Sequence, residues 1–148
     1  MVNVYGVKSS VFYGLLIFDA VLNALIGVTS DGESMVISIL QPVLLLIGLF
    51  IIFLLMWDTF LFKYGLLGVL LSELRNYFFV LPAYCALTIA LRIEIIAAVT
   101  GNAADAWSSN SFPTLYYMHN CLSILYYLVA IQATFLLFDE KLYKTPTG

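Results

Sequence analysis

The feature that most constrains this chain is a set of long stretches without a charged residue. No Asp, Glu, Lys or Arg occurs from Ser34 to Trp57, from Asn76 to Leu91, or from Ala106 to Phe138. A helix that crosses the hydrocarbon core of a membrane needs about 20 mainly apolar residues. Because lipid offers the backbone no hydrogen-bond partner, stretches of this kind are expected to be helical. The pattern predicts an all-α integral membrane protein.

The composition excludes several other classes of protein. Of the 148 residues, 63% are hydrophobic and 10% are charged, whereas about 25% of a soluble domain is charged. A soluble fold of this length could not bury so much apolar surface. The net charge of −3 excludes a nucleic-acid binder with a basic patch.

Four membrane spans are predicted, and all four belong to one domain over residues 1–148. A barrel would instead show segments of about ten residues with alternating hydrophobicity, and the sequence has none. The predicted spans are residues 10–28, 35–57, 76–99 and 114–138. The five basic residues outside the spans fall on one side of the membrane, which places both termini in the cytoplasm or the mitochondrial matrix. Those residues are Lys8, Lys63, Arg75, Lys141 and Lys144.

The connection between the second and third spans, residues 58–75, contains a further helical pattern. Its leucines recur at helical spacing, which predicts an amphipathic helix lying in the membrane interface. An extension of the second span is the alternative. The leucines concerned are Leu66, Leu67, Leu70, Leu71 and Leu74.

Polar residues within the spans are candidates for function. Helical rise places Asp19 near the midplane and the others within about 10 Å of it, toward the non-cytoplasmic side. These residues are Asp19, Asn23, Gln41, Arg92, Glu94 and His119. They predict one polar layer fed by all four helices.

Two interpretations of this layer are open, a proton or ion relay and hydrogen bonds that fix the helices in register. We favour the structural one, because a relay usually needs several acids along a path. Arg92 is expected to pair with Asp19, which also offers an acceptor to the hydroxyls of Tyr126 and Tyr127. We expect no catalytic residue.

The remaining candidates are interpreted as structural. His119 is the only histidine, and a metal site would need more His or Cys nearby, so neither a metal nor another cofactor is expected. No HExxH, GxSxG or P-loop motif indicates a small-molecule substrate. Alanines four residues apart predict close-packing faces on the first and third spans. These pairs are Ala20 with Ala24, and Ala86 with Ala90.

An ordered set of short motifs resembles the transmembrane protein 138 family over most of the chain. Asp19 and Asn23 match the family's first span, and residues 51–54, 59–62 and 65–66 match its second span and the exit from it. The others are Tyr84-x-Ala86-Leu87-x-Ile89-x-Leu91, Trp107, Leu125-Tyr126, Asp139 and Tyr143. The resemblance implies a four-span protein without enzymatic activity that acts in cilium assembly and the transition zone. It also implies a ciliary membrane, or one derived from the vacuole or endoplasmic reticulum.

A second functional hypothesis comes from the residues themselves. An aromatic content of 16% suits grooves that face lipid or other subunits. The chain would then be a small accessory subunit of a respiratory complex, an ATP synthase or a channel, for instance in the mitochondrial inner membrane. In either case its partners are other membrane-protein subunits and membrane lipids, including a bound structural lipid.

Overall fold

The computed structural model describes residues 2–26, 31–57, 59, 65, 67–101, 107 and 110–138. Within those ranges the chain forms five helices. They are α1 (Val2–Ala24), α2 (Asp31–Trp57), α3 (Leu67–Glu73), α4 (Arg75–Thr100) and α5 (Phe112–Phe138). All except α3 are long and apolar enough to cross a membrane, so the predicted class of a four-span helical membrane protein is confirmed.

The first predicted span differs most from its helix. α1 begins at Val2, before the predicted start at residue 10, and ends at Ala24. Residues 25 and 26 form a turn, and the last predicted residues, 27 and 28, lie outside the described ranges. Gly6 and Ser9, which precede the predicted start, therefore lie within the helix despite their weak helix propensity.

The core of the bundle is built around stacked aromatic rings between α4 and α5. Tyr84 stacks on Tyr126 with ring centroids 4.5 Å apart and an interplanar angle of 13°, and both side chains are almost completely buried. Tyr77 lies 6.3 Å from Tyr126 in the same cluster. α1 and α2 close this core with Phe12 and Ile52, which are both fully buried.

α2 lies between α1 and α4, because it packs extensively against each of them. α4 packs most extensively against α5. Contacts between Tyr77 and Tyr126 near the start of α4, and between Thr88 and His119 further along it, make these two helices antiparallel. This arrangement decides which polar side chains meet in the interior.

The connection after α2 contains a separate helix, so the alternative of a continuous second span is wrong. α2 ends at Trp57, and the backbone N–H of Thr59 donates to the carbonyl of Met56 at 3.0 Å in a turn. α3 instead leads directly into α4 through Leu74, whose N–H donates to the Leu70 carbonyl at 3.1 Å. Residues 58, 60–64 and 66 of the predicted interfacial helix lie outside the described ranges.

The packing of α3 predicts an asymmetric response to mutation. Leu70 is fully buried in the main core, whereas its neighbour Leu71 is 46% exposed. Leu70→Ala is expected to lower the free energy of unfolding by about 2 kcal/mol, since it leaves a cavity. Leu71→Ala is the control, and its effect should stay within about 0.5 kcal/mol. Unfolding by SDS in mixed micelles measures both, and equal effects would show that α3 is not docked.

Candidate functional site

The candidate site is a layer of polar side chains in the interior of the four long helices. Every long helix contributes to it, and most of its members are less than a tenth exposed. We call it the polar layer and define it by its residues. They are Asp19 and Asn23 from α1, Gln41 from α2, Tyr84, Thr88 and Arg92 from α4, and His119 and Tyr127 from α5.

Asp19 is the acceptor at the centre of the polar layer and is 2% exposed. Its Oδ1 accepts a hydrogen bond from Gln41 Nε2 at 2.7 Å. Its Oδ2 accepts from the hydroxyls of Tyr84 at 2.7 Å and Tyr127 at 2.8 Å. Three donors shared between both oxygens make the pattern of an ionised carboxylate, which only accepts.

Gln41 connects this carboxylate to the guanidinium of Arg92. Its Oε1 accepts from Arg92 Nε at 2.8 Å and also from Nη2, while its Nε2 donates to Asp19 and, at 2.6 Å, to Asn23 Oδ1. Because a guanidinium can only donate, the amide oxygen must face Arg92 and the amide nitrogen must face Asp19.

The expected direct pair between Asp19 and Arg92 is therefore wrong, because the Gln41 amide stands between the two charges. The reason lies in the order of the helices. α2 packs between α1 and α4, so a side chain of α2 occupies the space between them. The two charges still compensate each other, through one polarised amide.

Asn23 closes the network on the side of the tyrosines. Its Nδ2 donates to the hydroxyls of Tyr84 and Tyr127, both at 2.8 Å. Each hydroxyl thus accepts from Asn23 and donates to Asp19. The two tyrosine hydroxyls, one from α4 and one from α5, therefore connect both of these helices to the Asp19 and Asn23 side chains of α1.

His119 lies at the edge of the polar layer and is completely buried. The Thr88 hydroxyl donates to the backbone carbonyl of Tyr84 at 2.8 Å and lies 3.0 Å from His119 Nε2. Since its single proton is used, Thr88 must accept from Nε2–H, which makes Nδ1 the unprotonated nitrogen. Nδ1 is buried without a hydrogen-bond partner in the described part of the chain, and the ring stacks on Tyr84 at 5.2 Å.

The hydrogen bond between Thr88 and His119 predicts a modest effect for Thr88→Val. This change keeps the shape but leaves Nε2–H without an acceptor, and should cost about 1 kcal/mol of unfolding free energy. The control is the double variant Thr88→Val with His119→Phe, which keeps a ring on Tyr84 and removes both partners. The double variant should recover most of the loss in an SDS unfolding assay, and a larger loss would contradict the assigned bond.

Glu94 is not part of the polar layer, contrary to expectation. It is half-buried and accepts a hydrogen bond from the hydroxyl of Ser111 at 2.9 Å. Glu94 lies two positions after Arg92, which turns it to another face of α4. Glu94 therefore ties the end of α4 to the residue that precedes α5.

The alanines are also placed differently from the prediction that they form packing faces between spans. Ala20, Ala24 and Ala86 are exposed on the outer surface of the bundle, and Ala90 is only partly buried. Their spacing correctly places each pair on one face, but spacing alone does not say which face meets a neighbouring helix. The packed faces carry larger residues such as Leu16 and Leu45.

Two members of the polar layer, Tyr84 and Thr88, were not among the expected residues. Together with Arg92 they lie at positions i, i+4 and i+8 of α4, on one helical face. This spacing is the sequence signal that indicates Tyr84 and Thr88 as further members. Tyr127 was expected to donate to Asp19 and does so. Tyr126, the other candidate donor, stacks on Tyr84.

The polar layer holds four helices together through opposite charges and through hydrogen bonds among its own members.

A hollow of about 10 Å³ lies beside Asp19, and Gly48 and Tyr126 are among the other residues that line it. That volume is at the lower limit for one water molecule. The described residues contain no group of three His, Cys, Asp or Glu arranged to hold a metal ion.

Comparison with known proteins identifies relatives over nearly the whole chain. A family model described as transmembrane protein 138 matches residues 34–147. The mouse (Mus musculus) protein of that name is 24% identical over 142 residues, which cover 95% of this chain and 88% of the relative. The Xenopus tropicalis protein is 25% identical over 94% of this chain and 87% of its own length. No solved structure matches the chain.

Proposed function

The chain belongs to the transmembrane protein 138 family, and on that premise we propose that it is a non-enzymatic structural protein of ciliary membranes. In this role it takes part in cilium assembly or in the organisation of the transition zone. Family membership over residues 34–147 is the observation that carries the proposal.

The polar layer supports a structural role for the intramembrane charges. Asp19 is held by three donors and is linked through Gln41 to Arg92. A proton or ion relay needs groups that exchange hydrogen-bond partners, whereas side chains that fix the helices in register must each keep the same partner. Buried polar groups that are fully hydrogen-bonded specify one arrangement of helices.

Imaging of the tagged chain in ciliated cells tests the proposal. We expect the signal at the base of the cilium, and loss of the protein should shorten cilia or reduce their number. A purely mitochondrial signal would contradict the ciliary role. Migration of the endogenous protein within a megadalton respiratory assembly on a native gel would instead support the accessory-subunit hypothesis.

Asp19→Asn distinguishes the structural role of the polar layer from transport. The amide keeps the shape of the side chain but removes the negative charge that compensates Arg92. We expect less folded protein in the membrane, together with a proportional loss of cilia. Normal amounts of correctly localised protein with a selective loss of ion or proton movement would contradict the structural role.

A further inference from the structure

A groove of about 340 Å³ opens on the outer surface between the first turns of α4 and the middle of α5. We call it the α4–α5 groove. Its lining is polar at one end, where α4 begins, and apolar elsewhere. The lining residues are Arg75, Asn76, Phe79, Val80, Leu125 and Val129.

The polar and apolar ends of the α4–α5 groove lie at different depths. Arg75 and Asn76 are the first residues of α4, and Phe79 lies about 6 Å further along its axis. Because α5 runs antiparallel to α4, Leu125 lies further than Val129 from the membrane surface at which α4 begins, near the middle of α5 (Phe112–Phe138). The groove therefore runs from the membrane surface toward the hydrocarbon interior.

The apolar part must be filled when the chain is in a bilayer. Phe79 is 80% exposed and Leu125 is 46% exposed, and neither has a polar group to hold water there. An empty hollow would forfeit dispersion contacts on all sides. In a bilayer, the acyl chain of a neighbouring lipid can fill this hollow.

The charged end presents one group of each sign. Arg75 lines the groove, and Glu73 lines a small adjoining hollow that shares Asn76 and Val129 with it. Both side chains are exposed. A guanidinium binds phosphate oxygens in a two-pronged geometry, while a carboxylate accepts hydrogen bonds from an ammonium group. A headgroup with a phosphate and a primary amine complements both charges, whereas an acidic headgroup would meet Glu73 unfavourably.

We propose that the α4–α5 groove binds one phospholipid with a primary-amine headgroup, such as phosphatidylethanolamine. Arg75 and Asn76 hold its phosphate, Glu73 accepts from its ammonium group, and one acyl chain lies along Phe79 and Leu125. Nothing in this proposal depends on the ciliary role.

Native mass spectrometry of the full chain in detergent, with added phosphatidylethanolamine, tests this site. Phosphatidylcholine and phosphatidylglycerol with the same acyl chains serve as competitors. We expect phosphatidylethanolamine to bind several-fold more tightly than either. Arg75→Gln should weaken binding of the phosphatidylethanolamine by about tenfold, the equivalent of about 1.4 kcal/mol. Glu73→Gln should remove the preference over phosphatidylcholine without abolishing binding.

A pair of tryptophan substitutions separates the groove from the general surface of α5. Leu125→Trp fills the groove and should weaken binding of all three lipids. Leu128→Trp is the matched control, because Leu128 is 62% exposed and does not line the groove, so binding should be unchanged. Both residues are exposed, so folding should survive either change, and size-exclusion chromatography verifies it. Equal affinity for the three lipids, preference for phosphatidylglycerol, or insensitivity to Leu125→Trp would overturn the proposal.

Discussion

Arg92→Met is expected to lower the free energy of unfolding by about 3–5 kcal/mol, because it removes the positive charge that compensates the buried Asp19 through Gln41. Arg92 is 3% exposed, and its guanidinium donates twice to Gln41 Oε1. Without it, the Gln41 oxygen loses its donors and the Asp19 charge stays buried without compensation. Methionine fills a similar volume, so the loss reports electrostatics rather than a cavity.

Unfolding by SDS in mixed micelles measures this effect, and Glu94→Gln is the matched control. Glu94 lies on the same helix but outside the polar layer, where it accepts from the exposed Ser111. Its neutralisation should change stability by no more than about 0.5 kcal/mol. If Arg92→Met were as mild as this control, the polar layer would have no structural role.

Gln41→Glu is expected to destabilise the chain by about 3 kcal/mol or more, although the two side chains have nearly the same shape. In the wild-type chain, the Gln41 amide nitrogen donates to Asp19 Oδ1 and Asn23 Oδ1. A carboxylate oxygen at that position cannot donate, and it would face the carboxylate of Asp19. Removing a donor from a buried charged acceptor costs more than the 1–3 kcal/mol typical of neutral groups, roughly 3 kcal/mol or above.

The control for Gln41→Glu lies one turn earlier on α2. Ser38 is 4% exposed and donates only to the carbonyl of Ser34 on its own helix, at 2.7 Å. Ser38→Ala should therefore cost less than about 1 kcal/mol. A stable Gln41→Glu protein, with helix packing unchanged, would show that the assigned amide orientation is wrong.

The number of spans and the meeting of polar side chains from all four of them in one layer could be predicted from the sequence. Charge-free stretches define the helices through the thickness of the membrane, and helical rise places Asp19, Gln41 and Arg92 at similar depths. Both predictions use only the positions of residues along the chain. They require no knowledge of which helices are neighbours.

The direction of each side chain could not be predicted in the same way. In a membrane helix the lipid-facing and core-facing sides are both apolar, so the sequence periodicity that marks the buried face of a soluble helix is weak. Ala20 and Ala86 therefore looked like packing residues but face outward. The position of Gln41 between Asp19 and Arg92 could not be predicted for a related reason. The sequence of a single span does not determine the order of the helices around the bundle.

The measurement that tests the central claim most directly is a double-mutant cycle between Asp19 and Arg92. The four proteins are wild type, Asp19→Asn, Arg92→Met and the double variant, compared by SDS unfolding in mixed micelles. If the two charges compensate each other through Gln41, the double variant should cost about 2 kcal/mol less than the sum of the single variants. Additivity to within about 0.5 kcal/mol would contradict the account.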